Sequence, residues 1–129
     1  MIHLEFQQHL KEHFDPDKFQ RIVVFDAFAG IGGFAVPCIH MARRAKLEIH
    51  ANDLNPHSHR YLSINLNRAN RKGAAKVKTY CSCATEFIKT VVAPTVEMRF
   101  EDDATQYYLG KCFETWFFKS VKSEIYQKN

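Results

Sequence analysis

A continuous apolar run that stops at a glycine-rich turn constrains this chain more than any other feature. Ile22-Val23-Val24-Phe25 is unbroken and rich in β-branched residues, which is typical of a strand buried on both faces of a parallel sheet. The turn at residues 26–33, DAFAGIGG, follows, and residues 34–45 then have a helical pattern. Because parallel strands need a crossover connection, the sequence predicts an α/β fold.

The alternation of strand and helix continues along the chain. Residues 47–52 and 76–81 are predicted as strands, with a helix over 58–70 between them and a helical turn over 84–90 after them. This β-α-β-α-β order predicts a right-handed, doubly wound, mostly parallel sheet.

The two ends of the chain have weaker patterns. Residues 4–19 are predicted as a short helix that ends near Asp15-Pro16. Residues 95–100 are predicted as a fourth strand, and residues 112–126 as an amphipathic helix. Three clear strands and one weak one are fewer than a complete doubly wound sheet has, so we expect the sheet to be incomplete.

The length of 129 residues fits one domain, and an apolar fraction of 46% supports a folded core. We divide it into a helical lead-in (1–20), a cofactor-binding core (21–92) and a divergent C-terminal segment (93–129). No apolar run approaches the roughly 20 residues that span a bilayer, and the first residues lack a secretion signal. We expect a soluble, intracellular monomer that does not contact membranes.

The strand ends indicate an adenosine-containing ligand. Glycines let such a ligand approach the backbone, and Asp53 follows Gly32 by 21 residues, at the end of the second strand. A carboxylate there can accept hydrogen bonds from both ribose hydroxyls. Asp26 would repel the pyrophosphate of a nicotinamide dinucleotide, whereas it would attract the sulfonium and ammonium groups of S-adenosylmethionine. The residues therefore favour the methyl donor.

Two strings carry a resemblance to a known family: VFDAFAGIGGFAVP at residues 24–37 and ANDLNPHSHRYL at residues 51–62. They resemble the cofactor motifs of the tRNA (guanine-37-N1) methyltransferases, and ANDLNP is the specific part. The sister family, the wybutosine-pathway aminocarboxypropyltransferases, has a similar first motif. The resemblance covers about residues 20–90.

The resemblance implies a class I methyltransferase with a Rossmann-like fold, which uses S-adenosylmethionine to methylate N1 of guanosine 37, next to the tRNA anticodon. It implies that Asp53 and Leu54 bind the ribose and flank the adenine. The positions implied to line the methionine end of the cofactor are Asp26, Ala29, Gly30 and Gly32. Cytoplasm, nucleus and mitochondrial matrix are the compartments it implies.

The chain departs from the family at two places. Cys83-Ala84 stands where the family has an acidic residue followed by a small one, and a thiol cannot accept the adenine amino hydrogen bond as a carboxylate does. The family places an Asn-Leu-Pro motif on the fourth strand to hold the target guanine, but no asparagine lies between Arg71 and Lys128. The acids Glu97, Glu101, Asp102 and Asp103 have no spacing that selects a general base, so the catalytic residues stay unassigned.

Positive charge is concentrated in the middle of the chain. Residues 21–90 carry 11 Lys and Arg against 4 Asp and Glu. The densest part is a basic patch at Arg68, Arg71, Lys72, Lys76 and Lys78. Such a patch is either a solvated helix end or a surface that contacts tRNA phosphates.

Cys38, Cys81, Cys83 and Cys112 form no CxxC pair. We therefore expect reduced core cysteines and no metal site.

Three functions remain open at this stage. The first is the tRNA methyltransferase, in a truncated or divergent form. The second is a catalytically inactive module that binds S-adenosylmethionine or a partner. The third is aminocarboxypropyl transfer, as in the sister family.

Overall fold

The computed structural model describes residues 21–41, 46–98 and 105–110. Strands and helices alternate through these residues as the sequence predicts. The elements are β1 (Arg21–Asp26), α1 (Ala35–Met41), β2 (Lys46–Asn52), α2 (Pro56–Ala69), β3 (Ala75–Tyr80), α3 (Ala84–Phe87), a π-helix (Ile88–Val92), α4 (Ala93–Met98) and β4 (Thr105–Gly110).

The four strands form one parallel sheet in the order β3-β2-β1-β4. This is the first part of the doubly wound order 3-2-1-4-5-6, so the described residues form an incomplete Rossmann-like sheet. The predicted fold class is confirmed. In this topology ligands bind outside the carboxyl ends of the strands, at the point where the strand order reverses. Here that point lies beside β1.

Alternation along β1 supplies both faces of the sheet with core residues. Ile22 and Val24 pack with Leu62 and Leu66 of α2 on one face. The opposite face packs Val23 and Phe25 against the segment after β3, including Phe87, Val92 and Val96. All of these side chains are almost completely buried. The unbroken apolar run at residues 22–25 is therefore explained by burial on both sides.

The strand register aligns the carboxyl ends of all four strands. Asp26 pairs with Ala51 of β2 and with Gly110 of β4, and Asn52 pairs with Tyr80 of β3. The turns that follow these strands consequently meet at one edge.

The prediction of a fourth strand at residues 95–100 was wrong. Residues 95–98 belong to α4, and the fourth strand is Thr105–Gly110. Thr95 and Val96 are β-branched and favour a strand locally. In the structure Val96 lies four residues after Val92, which places both on the buried side of a helical segment, where they join the core. The predicted turn at residues 84–90 is therefore the start of a longer helical stretch.

The predicted helices at residues 4–19 and 112–126 lie outside the described residues. Within the described residues, no helix is long and apolar enough to cross a bilayer.

Candidate functional site

Three turns meet at the carboxyl edge of the sheet. The amide of Ala29, in the turn after β1, donates to the carbonyl of Asn52 at 2.8 Å. The amide of Asp53, directly after β2, donates to the carbonyl of Tyr80 at 3.1 Å. The predicted residues Ala29, Gly30 and Asp53 are thereby brought to one place.

Asp53 joins two of these turns through its carboxylate. Its Oδ2 atom accepts a hydrogen bond from the amide of Gly30 at 2.8 Å, and its Oδ1 atom accepts one from the amide of Asn55 at 2.9 Å. The side chain is half-buried. Each carboxylate oxygen has room for a further donor, so Asp53 can also accept the two hydroxyls of a ribose. The same contacts fix the carboxylate before a ligand arrives.

Asn52 is a structural residue of the site that the sequence did not single out. It is completely buried. Its amide nitrogen donates to the carbonyls of Ala27, at 3.1 Å, and Ser82, at 2.8 Å. Its amide oxygen accepts from the backbone amide and the hydroxyl of Ser82, at 3.0 and 2.8 Å. One side chain therefore ties the turn after β1 to the turn after β3.

Two glycines of the turn, Gly30 and Gly32, have different structural roles. Gly30 has φ +59°, and a Cβ there would meet nothing within 4 Å, so its backbone borders open space. Gly32 has φ +103°, and its Cβ would approach Val36 at 3.4 Å and Leu62 at 3.5 Å. Gly32 therefore allows the turn to pack closely on α1 and α2, while Gly30 leaves its surroundings open to a ligand.

Asp26 is a buried carboxyl, and among the described residues only one of its two oxygens has a hydrogen-bond partner. Its Oδ1 atom accepts from the amide of Phe28 at 3.1 Å. Its Oδ2 atom is buried and has no hydrogen-bond partner among the described residues. Burial raises the pKa of Asp26 from 3.8 to about 7, and the negative charge of Asp53 adds to the effect. A ligand with a positively charged donor group would satisfy the free oxygen and favour the ionised form.

The variant Asp26→Asn tests this assignment without any ligand. Because folding raises the pKa of Asp26, the folded state holds a proton on this carboxyl more tightly than the unfolded state does. The resulting contribution to the unfolding free energy is complete below the unfolded pKa and is lost as the pH rises through about 7. Between about pH 4 and pH 7 the unfolding free energy of the parent should therefore fall relative to Asp26→Asn, by roughly 2–4 kcal/mol. Urea unfolding across this range measures the difference. Glu97→Gln, at an exposed carboxylate, is the control and should run parallel to the parent; a parallel Asp26→Asn curve would contradict the buried state of Asp26.

The predicted adenine-flanking residues lie at the rim of the site. Leu54 is exposed, and its carbonyl accepts a hydrogen bond from the Cys81 thiol at 3.6 Å, which brings the turns after β2 and β3 together. Cys83 is exposed at the N-terminus of α3, directly before the half-buried Ala84. The cofactor-binding roles of Leu54, Cys83 and Ala84 stay predictions.

Only one of the described cysteines belongs to the core. Cys38 is buried, and burial together with the nearby Asp26 raises the pKa of its thiol. Cys81 and Cys83 are exposed, which corrects the expectation of core cysteines, because β3 ends at Tyr80 and both follow in the turn. Cys112 lies outside the described residues. Within the described ranges, no three acidic, His or Cys side chains are grouped to hold a metal ion.

The sheet divides the predicted basic patch between its two faces. Arg68, at the end of α2, and Arg71 and Lys72, directly after it, are exposed and belong to the face that carries α2. Lys76 and Lys78 border a cavity of about 370 Å³ on the opposite face, together with Glu48 and His50. The five residues are thus not one surface, and the role of each in binding nucleic acid stays a prediction.

A row of polar side chains lines that cavity and was not predicted. The Nε2 atom of His50 lies 3.0 Å from Oε1 of Glu48, and its Nδ1 atom lies 2.8 Å from the hydroxyl of Tyr80. The His50 ring stacks between Phe25 and Tyr80, with centroids 5.4 and 5.9 Å apart. Burial, with the charge of Glu48, raises the pKa of Tyr80. Every second residue of β2 is polar. This alternation is the sequence signal that could have predicted the row.

The resemblance places a guanine-binding motif on the fourth strand, which in the structure is β4. β4 ends at Gly110, which pairs with Asp26 and has no side chain to hold or deprotonate a substrate. Of the four candidate bases, Glu97 is exposed on α4, and residues 101–103 lie outside the described residues. The described residues therefore supply a ligand site but no assignable general base.

Most of the sequence matches a protein-family model. The model of the TRM5/TYW2 methyltransferase domain matches residues 18–117, which includes every described strand. The chain belongs to this family. Membership agrees with the parallel sheet and with the site at its carboxyl edge, and it confirms the family predicted from the two strings.

Individual relatives match over part of their length. A tRNA (guanine(37)-N(1))-methyltransferase of Saccharomyces cerevisiae is 39% identical over 88 residues, covering 68% of this chain and 16% of the relative. One of Coprinopsis cinerea is 38% identical over 92 residues, covering 71% of this chain and 18% of the relative. The matched part of the chain is thus less than a fifth of either protein.

The similarity to solved structures is weaker than the similarity to these relatives in sequence. The crystal structure of Pyrococcus horikoshii TYW2 in complex with MeSAdo superposes with a TM-score of 0.40 and 18% identity, covering 72% of this chain and 39% of that one. A TM-score this low adds nothing to the family assignment.

Proposed function

We propose that this chain is the S-adenosylmethionine-binding part of a tRNA methyltransferase that methylates N1 of guanosine 37. The observation that carries the proposal is the pair of carboxylates at one edge of the sheet, with Asp53 fixed to accept a ribose and Asp26 holding an oxygen without a partner among the described residues. Membership of the methyltransferase domain family and the names of the relatives support the reaction and the substrate.

The two carboxylates suit opposite ends of the cofactor. S-adenosylmethionine, when bound, supplies a methyl group on a positively charged sulfur. Asp53 holds the ribose hydroxyls, while Leu54 and Ala84 flank the adenine. Asp26 balances the positive charge of the methionine end, where its buried position strengthens the attraction. The backbone of Gly30 borders open space at this edge, and Gly32 packs the turn closely on α1 and α2.

Methylation of guanine N1 also requires a proton to leave that nitrogen. Of the described carboxylates at this edge, Asp26 and Asp53 are assigned to the cofactor, and Glu86 is exposed in the first turn of α3. The end of β4 at Gly110 offers no side chain for this task. We infer that the general base comes from residues beyond those described, or from the rest of a longer protein.

Two other observations, at Cys83 and at Gly110, favour a second function, a binding module without catalysis. Cys83 replaces a carboxylate that would accept the adenine amino group, and Gly110 stands at the edge beside Asp26. A chain that kept the cofactor site and lost the guanine site would look like this one.

Calorimetry and a transfer assay separate the functions. We expect S-adenosylmethionine to bind the 129-residue chain, and a methyl group to reach an unmodified tRNA transcript with guanosine at position 37 but not one with adenosine there. The mass of the modified nucleoside distinguishes methyl from aminocarboxypropyl transfer. Binding without transfer supports the inactive module. A chain that binds no cofactor contradicts both functions.

A further inference from the structure

The outer face of α2 combines exposed apolar and basic side chains. Along this helix, His57, Tyr61, Ile64 and Arg68 follow one another at intervals of four, three and four residues. This spacing places them in one stripe, opposite the buried Leu62 and Leu66. Tyr61 is 56% exposed and Ile64 is 42% exposed, so the helix presents apolar side chains to solvent as well as to the core.

This stripe is continuous with the cofactor site. The Asn65 side chain donates to the carbonyl of Ile31 at 2.8 Å, and the Cβ position of Gly32 lies 3.9 Å from Asn65. The glycine-rich turn therefore lies against the same helical turn that carries Tyr61 and Ile64. Ile31 is itself 57% exposed, so apolar surface extends from α2 to the mouth of the site.

The charge around the stripe has one sign. α2 contains no Asp or Glu, and Arg60, Arg68, Arg71 and Lys72 lie on it or directly after it, all exposed. Between Asp26 and Glu86 the sequence has two carboxylates against nine Lys and Arg. Of those carboxylates, Glu48 is buried on the other face and Asp53 is held in the site. An anionic partner therefore meets no exposed carboxylate on this helix.

We propose that the outer face of α2 is a docking surface for RNA next to the methyl-donor site. Tyr61 stacks on an unpaired base, Ile31 and Ile64 adjoin that base, and Arg60 and Arg68 contact phosphates. An exposed aromatic ring among basic residues is how proteins hold single-stranded nucleic acid. The choice of RNA rests on the proposed function, in which tRNA is the substrate.

The opposite face is less suited to RNA. Its lysines, Lys76 and Lys78, border a cavity whose lining includes the carboxylate of Glu48. The helical segment there also carries the exposed Glu86 and Glu97. Mixed charge of this kind weakens attraction to a polyanion. Lys76 and Lys78 thus provide matched controls, since each is an exposed cation of the same chain.

Fluorescence anisotropy with a labelled, unmodified tRNA transcript tests the surface in the full 129-residue chain, over a series of salt concentrations. We expect Tyr61→Ala to weaken binding about tenfold, while Tyr61→Phe, which keeps the ring, binds like the parent. Arg68→Gln should reduce the slope of log affinity against log salt by about 0.7, as expected for one lost contact to a single strand. Lys76→Gln should change the slope much less. Melting curves establish that each variant is folded.

Three results would overturn the surface: equal effects of Arg68→Gln and Lys76→Gln, unchanged binding by Tyr61→Ala, or self-association of the chain that Tyr61→Ala abolishes. The last would assign the face to a second copy. Calorimetry with S-adenosylmethionine on the same samples keeps the two proposals apart. RNA binding through α2 in a chain that does not bind the cofactor would refute the proposed methyl transfer and leave the surface in place.

Discussion

Asp53→Ala is expected to reduce the affinity for S-adenosylmethionine by at least about 100-fold. Each hydrogen bond to a charged group contributes about 1.5–3 kcal/mol, and the variant removes the acceptor for two ribose hydroxyls. It also releases the amides of Gly30 and Asn55, which the carboxylate holds at 2.8 and 2.9 Å. The glycine-rich turn therefore loses its anchor as well. Isothermal titration calorimetry of the parent and the variant measures the loss.

Glu97→Ala is the matched control for Asp53→Ala. It removes a carboxylate that is exposed on α4, in the segment that packs on the other face of the sheet from α2. We expect its affinity to equal that of the parent. If Asp53→Ala also bound S-adenosylmethionine as the parent does, neither the methyltransferase nor the inactive binding module would stand.

Asn52→Ala is expected to lower the free energy of unfolding by about 3–5 kcal/mol. The variant leaves the carbonyl of Ala27 and the polar groups of Ser82 without the partner that now satisfies them, and each buried group left unpaired costs about 1–3 kcal/mol. A small cavity adds to the loss, since Asn52 is completely buried. Urea unfolding gives the difference, and a small effect would mean that the turns hold together without this side chain.

Asn65→Ala provides the comparison for Asn52→Ala. Asn65 also ties a turn to a neighbouring element, but through one hydrogen bond, from its side chain to the carbonyl of Ile31, in exposed surroundings. Water can replace that bond, so we expect a loss of less than about 1 kcal/mol. Similar losses in the two variants would contradict the special role of Asn52.

The elements that the sequence predicted well are those whose signal is local. The run at residues 22–25 predicted a strand buried on both faces, and the apolar spacing predicted a helix over residues 58–70, which the structure places at Pro56–Ala69. Both signals depend on residues near one another in the chain. The prediction of a strand at residues 95–100 failed because Thr95 and Val96 favour a strand locally, whereas Val96 packs with Phe25 and Phe87 as part of a helix.

The candidate site could be predicted in part. Asp26 ends β1 and Asp53 follows β2, and parallel strands bring their carboxyl ends together, so the proximity of the two carboxylates follows from the order of elements. The role of Asn52 could not be predicted, because its partners Ala27 and Ser82 lie 25 and 30 residues away. An asparagine beside Asp53 carries no local sign of which backbone groups it will meet.

The amino-acid sequence by itself determined the α/β class, the glycine-rich turn and the family, since periodicity and short motifs are properties of neighbouring residues. Only the tertiary structure decided how charge is distributed. Arg68 and Lys76 are eight residues apart in one apparent patch, yet the sheet places them on opposite faces. Burial likewise made Asp26 a carboxyl with a free oxygen and a raised pKa. Both properties depend on what surrounds a side chain in space, and sequence position does not specify those surroundings.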